Sequence, residues 1–392
     1  DHCQWRWLYG FENRHKLFDI DSRFKFAVTI AEKGGKTAAI QAAFMRHQLE
    51  DWAEAKGSLA YPAERVHAFS PKSLSVLEIR SERDLGVLTK IYANSVLLGD
   101  DGPDGWGIKY ATEFHMTNDS RLFIPRDKAD EAGYKPDEYG RWINAERNVL
   151  LPLYEGRMIG QFDFSKKGWV SGKGRGAVWR DIPWERKVIE PQFLMSQSDA
   201  WSPESKTHRG PKIAYMRIGS ATNARTVIST YLRDTPAGDS VFYFIPRLGS
   251  IPTALSVVGM FGTFAYDFAV RARVGGLNLS EFLMVETPLI GRSPFEEAGL
   301  IPKVLSLACS GAWFAPESLE VARGTPRCEI SGISEHERLR LRCILDAIVA
   351  ALYGLSREDL RWILRDCDHP KECLSDQVFC RSLDPKGFWR ID

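Results

Sequence analysis

IAYMRIGSATNARTVISTYLR, residues 213–233, carries two successive secondary-structure patterns. Apolar side chains alternate with other side chains over residues 212–218, which predicts a strand. Ser220 and Thr222 are both good N-cap residues for a helix that would follow. The apolar positions beyond them recur at three- and four-residue spacing: Val227, Ile228, Tyr231 and Leu232. The stretch therefore predicts a strand, a short loop and a capped helix.

Three polar side chains of this stretch have the chemistry of base recognition. Arg217 would end the strand, and Asn223 and Arg225 would lie in the first helical turn. A guanidinium binds guanine O6 and N7 in bidentate fashion, and a carboxamide binds adenine N6 and N7. Free backbone N–H groups in a first helical turn also favour a phosphate. The alternative is structural: Arg225 pairs with a surface carboxylate and Asn223 caps the helix.

A second feature is a local excess of positive charge between residues 166 and 187. The whole chain has 392 residues and a net charge of only +1. In this segment two acidic residues, Asp181 and Glu185, stand against seven basic ones, which gives a local net charge of +5. The basic residues are Lys166, Lys167, Lys173, Arg175, Arg180, Arg186 and Lys187. Four glycines and three tryptophans predict a flexible loop that follows a phosphate backbone, and the alternative is a solvated charged loop.

Several other kinds of site are disfavoured by residue spacing. The glycines of residues 172–176 match neither a P-loop nor a dinucleotide-binding turn. No histidine shows the neighbours that nucleophilic catalysis needs, and no carboxylate set has the spacing of a restriction nuclease. Six of seven cysteines lie in the last quarter, but Cys367, Cys373 and Cys380 are too widely spaced for a zinc site. We therefore expect that the chain binds no metal and that its thiols are free. We also expect Cys343 to lie on an apolar helix face.

Coarse periodicity predicts the rest of the fold. Alternating apolar positions favour a strand over residues 18–30. A turn at Gly34-Gly35 and a helix over residues 37–55 are predicted to follow. Helical spacing predicts a helix over residues 84–98, and residues 106–110 and 116–119 fit a strand and a turn. Residues 335–353 and a segment capped by Ser356 predict a C-terminal helical hairpin. The apolar residues 251–270 are long enough for a membrane span, but Asp267, Arg271 and Arg273 favour a buried helix with a basic end and no membrane.

Six segments, in this order, resemble the C-terminal half of large adenine-specific DNA methyltransferases of type II restriction-modification, DISARM and BREX systems. They are GFENRHKLFDIDSRFKFAV (residues 10–28), WGIKYATEFHMTNDSRLF (106–123), LPLYEGRMIGQFD (151–163), MRIGSATNARTVI (216–228), FAYDFAVRARVGGLNL (264–279) and LDAIVAALYGL (345–355). Each segment is loose by itself, and the ordered set is the more specific signal.

The resemblance implies an α+β fold in four parts. Residues 1–60 would be the end of an α/β methyltransferase sheet, and residues 61–150 a connecting α/β region. Residues 151–325 would form a mixed α/β target recognition domain, and residues 326–392 a C-terminal helical region. The family's Asn/Asp-Pro-Pro-aromatic loop and its S-adenosylmethionine motif are missing from this sequence. We therefore expect a fragment cut at both ends, whose catalytic residues and S-adenosylmethionine site lie upstream and which itself holds no cofactor.

The resemblance also adds candidate DNA contacts to those found by chemistry. Arg157 would contact a phosphate at the junction of the catalytic and recognition parts, or pair with Glu155 to hold that junction. Arg271, Arg273 and Asn278 lie at and beyond the end of a long predicted helix, where they would face DNA. The alternative is that they only cap the C-terminus of that helix. With Lys166, Lys167, Lys173, Arg175, Arg180, Arg217, Asn223 and Arg225, these residues should form one cationic cleft for a duplex.

The predicted function is sequence-specific recognition of double-stranded DNA within a cytoplasmic N6-adenine methyltransferase. Its partners would be DNA, the upstream methyltransferase domain and proteins of a defence system. Two alternatives stay open, a stand-alone DNA specificity subunit and a non-catalytic interaction domain. An Asn-Pro-Pro-aromatic motif in the sequence upstream of Asp1 would exclude the stand-alone subunit. Salt-dependent affinity for DNA would exclude the interaction domain.

Overall fold

The computed structural model describes residues 2–20, 24–53, 58–219, 225–322 and 334–365. The strands are β1 (Cys3–Glu12), β2 (Lys25–Lys33), β3 (Ala39–Arg46), β4 (Leu59–Pro62), β5 (Val96–Leu97), β6 (Ile108–Ala111), β7 (Ile124–Pro125), β8 (Lys135–Pro136), β9 (Trp142–Ile143), β10 (Val149–Pro152), β11 (Lys167–Ser171), β12 (Val178–Asp181), β13 (Phe193–Ser196), β14 (Pro211–Met216), β15 (Ser229–Arg233), β16 (Val241–Pro246) and β17 (Pro288–Leu289). The helices are α1 (Glu50–Ala53), α2 (Ala63–Phe69), α3 (Glu82–Ala93), α4 (Arg126–Glu131), α5 (Gln197–Ala200), α6 (Ile251–Phe261), α7 (Phe264–Arg273), α8 (Glu281–Met284), α9 (Arg292–Glu297), α10 (Ile301–Ala308), α11 (Ala315–Ala322), α12 (Glu335–Leu352) and α13 (Arg357–Ile363).

The N-terminal sheet has the strand order β2-β1-β3-β4, in which β1 and β3 run parallel and the other neighbours antiparallel. The predicted turn at Gly34 and Gly35 is confirmed, since both have positive φ angles of 84° and 73°. The helix predicted over residues 37–55 is wrong, because residues 39–46 form β3. The strand predicted from residue 18 begins only at Lys25, and the side chain of Asn13 instead holds the backbone of Phe18 and Ile20.

The central sheet has the order β15-β14-β16-β6, with every neighbouring pair antiparallel. The strand predicted over residues 212–218 is confirmed as β14. The helix predicted after it is wrong, because residues 229–233 form β15 and pair with β14. Valine, isoleucine, threonine and tyrosine pack well on a pleated surface, so this pairing outweighs the four-residue apolar spacing. The apolar α6 packs against this sheet, and Ser250 caps its first turn by accepting from Thr253 N.

A second sheet has the order β7-β13-β10-β9-β8, and β11 pairs with β12 as a separate antiparallel hairpin. The hairpin corrects the prediction that residues 166–187 form a flexible loop. The predicted helix over residues 84–98 is confirmed as α3, which ends at Ala93, and the predicted turn over residues 116–119 is present. Residues 106–110 were predicted as a strand, and the strand found there is β6.

The C-terminal helical hairpin is confirmed in α12 and α13. The hydroxyl of Ser356 accepts from Asp359 N at 3.2 Å and caps α13 as predicted. Leu345 on α12 belongs to a continuous apolar core that also contains Leu8, Ile91 and Tyr215. The α+β class is therefore confirmed, and one core includes residues from all four predicted parts of the chain.

Among the described residues, no single helix is long and apolar enough to cross a membrane. The pair α6 and α7 reaches the required length and composition only together, and the two helices meet at an angle of 72°. The single buried helix predicted over residues 251–270 is thus two helices, and all but one residue of α6 are buried.

Candidate nucleic-acid interface

Arg217 lies directly after β14, where two neighbouring segments hold its backbone. Its N–H donates to Ser240 O at 3.0 Å, and its carbonyl accepts from Leu279 N at 2.8 Å. The side chain is 37% exposed, with Nη1 3.4 Å from Asp239 Oδ2. The guanidinium carbon lies 5.4 Å from the centre of the Phe242 ring. Arg217 is thus fixed at its backbone while its charged group reaches solvent.

The loop that follows α7, residues 275–278, lies beside Arg217. Ile218 and Asn278 form an antiparallel bridge, and Gly219 N donates to Leu277 O at 2.9 Å. Residues 275–278 are exposed. The structure therefore brings Arg217 and Asn278, which are 61 positions apart in the sequence, to the same place on the surface.

Arg157 reaches the same region through Ser240. Gly156 N donates to Ser240 Oγ at 2.9 Å, and the side chain of Arg157 is exposed. Lys166 N in turn donates to Met158 O at 2.7 Å. The segments that carry Arg217, Arg157 and Lys166 are therefore in direct contact. Lys166 continues into the hairpin β11–β12, which carries the other predicted hairpin contacts: Lys167, Lys173, Arg175 and Arg180.

We call the exposed or partly exposed members of this set the basic surface. Its members are Arg157, Lys166, Lys167, Lys173, Arg180, Arg217 and Asn278.

Glu155 lies next to Arg157 and is partly buried. Burial raises the pKa of its carboxyl to about 7, and the charge of Arg157 opposes that rise. Oε1 is shielded from solvent and has no hydrogen-bond partner among the described residues. The predicted Glu155–Arg157 pair is therefore at most a long-range interaction, since no ion pair joins the two side chains in the described part of the chain.

The hairpin carries less free charge than its sequence suggests. Lys166 Nζ lies 3.2 Å from Asp181, and Arg180 makes a forked pair with Glu190 at 2.6 and 3.0 Å. Lys187 is buried on Asp163, so it does not contribute to an exposed charged loop as the sequence implied. Lys173 is exposed at the turn. Arg175 belongs to the same turn, and its side chain lies outside the described residues.

The tryptophans of this segment are also less available than predicted. Trp169 is 7% exposed, and its Nε1 donates to Gly172 O. Trp184 contacts two cations, with Lys187 Nζ 4.2 Å and the Arg338 guanidinium carbon 3.2 Å from its ring centre. These rings pack the hairpin onto the body of the protein and α12, so they do not form a free stacking surface.

Arg225 was predicted to read bases, and the structure contradicts this role. The side chain is 7% exposed, with its guanidinium carbon 3.6 Å from the centre of the Phe264 ring and Nη2 3.7 Å from Asp346 Oδ2. Burial lowers its pKa, and the carboxylates of Asp346 and Asp267 oppose that shift. A guanidinium enclosed in this way cannot reach the edge of a base pair. Asn223 lies outside the described residues.

Asp267 fixes the backbone that follows Arg225. Its Oδ1 accepts from Thr226 N at 2.8 Å and from Val227 N at 3.0 Å. Its Oδ2 accepts from Arg271 Nε at 2.7 Å. Arg271, a predicted DNA contact, is therefore engaged in an ion pair on its own helix, with 32% of its side chain exposed. The segment between β14 and β15 is thus held at both of its ends.

Arg273 was also predicted to contact DNA, and the structure contradicts this. Its side chain is 3% exposed, and Nη2 lies 2.6 Å from Glu286 Oε2. Nη1 donates to Phe69 O, Ser70 Oγ and Tyr92 Oη. Arg273 therefore ties α7 to α2 and α3 inside the protein. Arg225 and Arg273 do not line a cleft with Arg217, and the predicted cleft is replaced by the basic surface.

The cysteines give no metal site within the described ranges, where no group of three or more potential ligands converges. Cys309 is buried, and burial raises the pKa of its thiol well above the usual value. Cys343 is exposed, so its predicted place on an apolar helix face is wrong. Cys367, Cys373 and Cys380 lie outside the described residues.

A cleft of about 550 Å³ opens beside the hairpin, between Trp142, Phe164 and Trp313. Its charged lining is mixed: Arg126, Lys135, Lys187, Asp130, Asp137, Glu138 and Glu190. Because acidic and basic groups are nearly balanced, this cleft has no evident preference for a polyanion.

Sequence reasoning missed Asp239, which pairs with Arg217, and His115, which lies beside Asp239. His115 Nε2 lies 3.7 Å from Asp239 Oδ2, and its side chain is about half exposed. Asp239 is 22 positions from Arg217 and His115 is 124 positions from Asp239, so no local pattern links them. A polar Gly-Asp-Ser turn before the apolar run of β16 was the only sequence signal.

Comparison with solved structures gives a coarse likeness. No family model matches the sequence, and no curated protein matches it. The chain is similar to a Type IIL restriction-modification enzyme, MmeI, solved in complex with DNA, with 9% identity and a TM-score of 0.40. The match covers 93% of this chain and 45% of that chain, so this chain spans less than half the length of that enzyme. At this TM-score the likeness carries no information about what this chain binds.

Proposed function

We propose that this chain recognises a short sequence in double-stranded DNA and holds the duplex for a methyltransferase domain upstream. The supporting observation is the meeting of two segments at Ser240. One segment presents Arg217, and the other presents Arg157 and leads through Lys166 into the hairpin. A group that can read a base is thereby joined to a row of groups that can bind phosphates.

The two kinds of contact have separate physical roles. Contacts to phosphates set the position of a protein on a duplex and supply affinity that depends on salt. Lys173, Lys167 and Arg157 suit that role, because they are exposed or partly exposed cations without an ion pair to a described carboxylate. Contacts to base edges supply sequence preference. Arg217 and Asn278 suit this second role, because their side chains can form bidentate hydrogen bonds with purines.

The wider activity belongs to the same proposal and is supported by the six-segment resemblance. The intact protein would transfer a methyl group from S-adenosylmethionine to N6 of an adenine flipped out of the duplex. It would act in the cytoplasm in restriction-modification or phage defence, with partner proteins of that system. The cofactor and the catalytic residues would belong to the upstream domain.

Salt-dependent binding of duplex DNA tests the proposal. If Arg157, Lys167 and Lys173 each neutralise one phosphate, log K should fall with log salt with a slope of about −2.7. We expect Lys173→Ala to reduce that slope by about 0.9 and to weaken all duplexes alike. The measurement is the fluorescence anisotropy of a labelled duplex titrated with the full chain at several salt concentrations.

Lys33→Ala is the matched control, because Lys33 is an exposed lysine at the end of β2 in the N-terminal sheet. It should leave both slope and affinity unchanged. A native chain whose affinity for duplex DNA is absent, or is independent of salt, would overturn the proposal. Equal effects of the two substitutions would show that only diffuse charge matters.

A further inference from the structure

Arg217 and Asp239 present a donor and an acceptor side by side on the protein surface. Their side chains are 37% and 27% exposed, and Arg217 Nη1 lies 3.4 Å from Asp239 Oδ2 and 3.5 Å from Asp239 O. Among the described residues, both of these hydrogen bonds use Nη1. Nη2 and Nε are therefore left to donate to another acceptor.

The spacing of the pair corresponds to one edge of a base pair. In the major groove, a G·C pair shows the acceptors O6 and N7 of guanine beside the N4 donor of cytosine. O6 and N4 hydrogen-bond each other, so they lie about 3 Å apart. A guanidinium suits the guanine acceptors, and a carboxylate accepts from cytosine N4. The separation of 3.4 Å between Arg217 Nη1 and Asp239 Oδ2 matches that edge.

The surroundings of the pair keep it in place before any ligand binds. Ser240 O and Leu279 N hold the backbone of Arg217, and the Phe242 ring lies beneath its guanidinium. Little side-chain entropy then remains to be lost on binding, which favours selective recognition. The neighbouring surface residues Ile218 and Leu277 are about half exposed and uncharged, and His115 Nε2 lies 3.7 Å from Asp239 Oδ2.

We propose that Arg217 and Asp239 together read one G·C base pair through the major groove. This inference rests on the proposed function and adds to it the chemical identity of one recognised base pair. It also gives Asp239 a role in specificity, as the group that accepts from cytosine while positioning Arg217.

The test uses the full chain and a pool of duplexes with a randomised region, whose bound fraction is sequenced. The native chain should prefer G·C over A·T at one position by roughly 5- to 150-fold. Asp239→Ala and Arg217→Lys should both lose most of that preference, at the same base pair. Lysine keeps the charge but lacks the planar fork, so Arg217→Lys should keep most of the general affinity.

Asp181→Ala is the matched control, since it removes an equal charge at an exposed carboxylate away from Arg217, in the hairpin, where Asp181 pairs with Lys166. It should leave the preferred sequence unchanged. The inference fails, while the proposed function stands, if Asp239→Ala keeps its full G·C preference or only raises affinity for every duplex. A native chain that binds no duplex overturns both. Thermal unfolding of each variant shows whether a loss reflects misfolding.

Discussion

Replacement of Arg225 by alanine should destabilise the protein, because this side chain is part of the interior. Arg225 is 7% exposed, stacks on Phe264 at 3.6 Å and lies 3.7 Å from Asp346. Removal of one member of a buried ion pair leaves an uncompensated charge and typically costs about 3–5 kcal/mol. Loss of the desolvated cation–π contact accounts for up to about 2 kcal/mol of this cost. We expect Arg225→Ala to lower the free energy of unfolding by about 3–5 kcal/mol.

Urea unfolding followed by far-ultraviolet circular dichroism measures this loss, and a double-mutant cycle identifies its source. Asp346→Asn is the partner substitution, because an amide oxygen can still accept from Phe264 N as Asp346 Oδ1 does at 2.6 Å. If the two side chains stabilise each other, the double variant should be more stable than the sum of the single losses predicts, by about 0.5–3 kcal/mol.

The reasoning would be refuted by an Arg225→Ala protein whose unfolding free energy is within about 0.5 kcal/mol of the native value. If that protein also lost its preference between DNA sequences, Arg225 would be a base-reading residue after all. A stable fold combined with unchanged recognition would mean that the buried pair is energetically neutral.

Two further predictions concern Glu155 and Asp267. Burial raises the folded-state pKa of Glu155 from 4.5 to about 7. Between these two pH values the folded chain holds a proton that the unfolded chain has lost. The free energy of unfolding should therefore fall as the pH rises through this window, by up to about 3 kcal/mol. Urea midpoints at pH 5 and pH 8 should therefore differ less for Glu155→Gln than for the native chain, and an identical pH profile would contradict the burial argument. Asp267→Ala removes the acceptor of the Thr226 and Val227 amides and should cost about 2–4 kcal/mol. It should also speed hydrogen exchange at these two amides, whereas unchanged exchange would show that Asp267 does not hold this segment.

The elements that sequence predicted correctly are those whose signals are local. Helix α12 repeats its apolar positions over 18 residues, and α13 follows a serine cap with an aspartate three positions later. These features lie within or directly beside the helices that they define, so the sequence shows them without knowledge of distant contacts. The turn at Gly34-Gly35 was predictable for the same reason.

The errors arose where distant pairing decides the conformation. Residues 39–46 are rich in alanine and suggested a helix, but they pair with β1 on one side and β4 on the other. Residues 229–233 pair with residues of β14 that lie 14 to 22 positions earlier in the chain. Backbone hydrogen bonds of this kind override local propensity, and a single sequence does not reveal them.

The site was only partly predictable, because an arginine can lie either at the surface or in a buried ion pair. Arg217, Arg225 and Arg273 have similar sequence neighbourhoods, and only Arg217 keeps an exposed guanidinium. One carboxylate that pairs with Arg225 is Asp346, 121 positions later, and one acceptor of Arg273 is Ser70, 203 positions earlier. Sequence alone therefore offered no means of telling the exposed Arg217 from Arg225 and Arg273, which are buried.

The continuous apolar core limits how this chain could be rearranged. Arg338 of α12 stacks on Trp184 just beyond the hairpin and donates to Leu307 O and Phe162 O, so the C-terminal helix supports the platform beneath the basic surface. A piece excised at the boundaries of the predicted recognition region would lose that support. The recognition region predicted over residues 151–325 therefore depends on α12 for its packing and is not an independent unit.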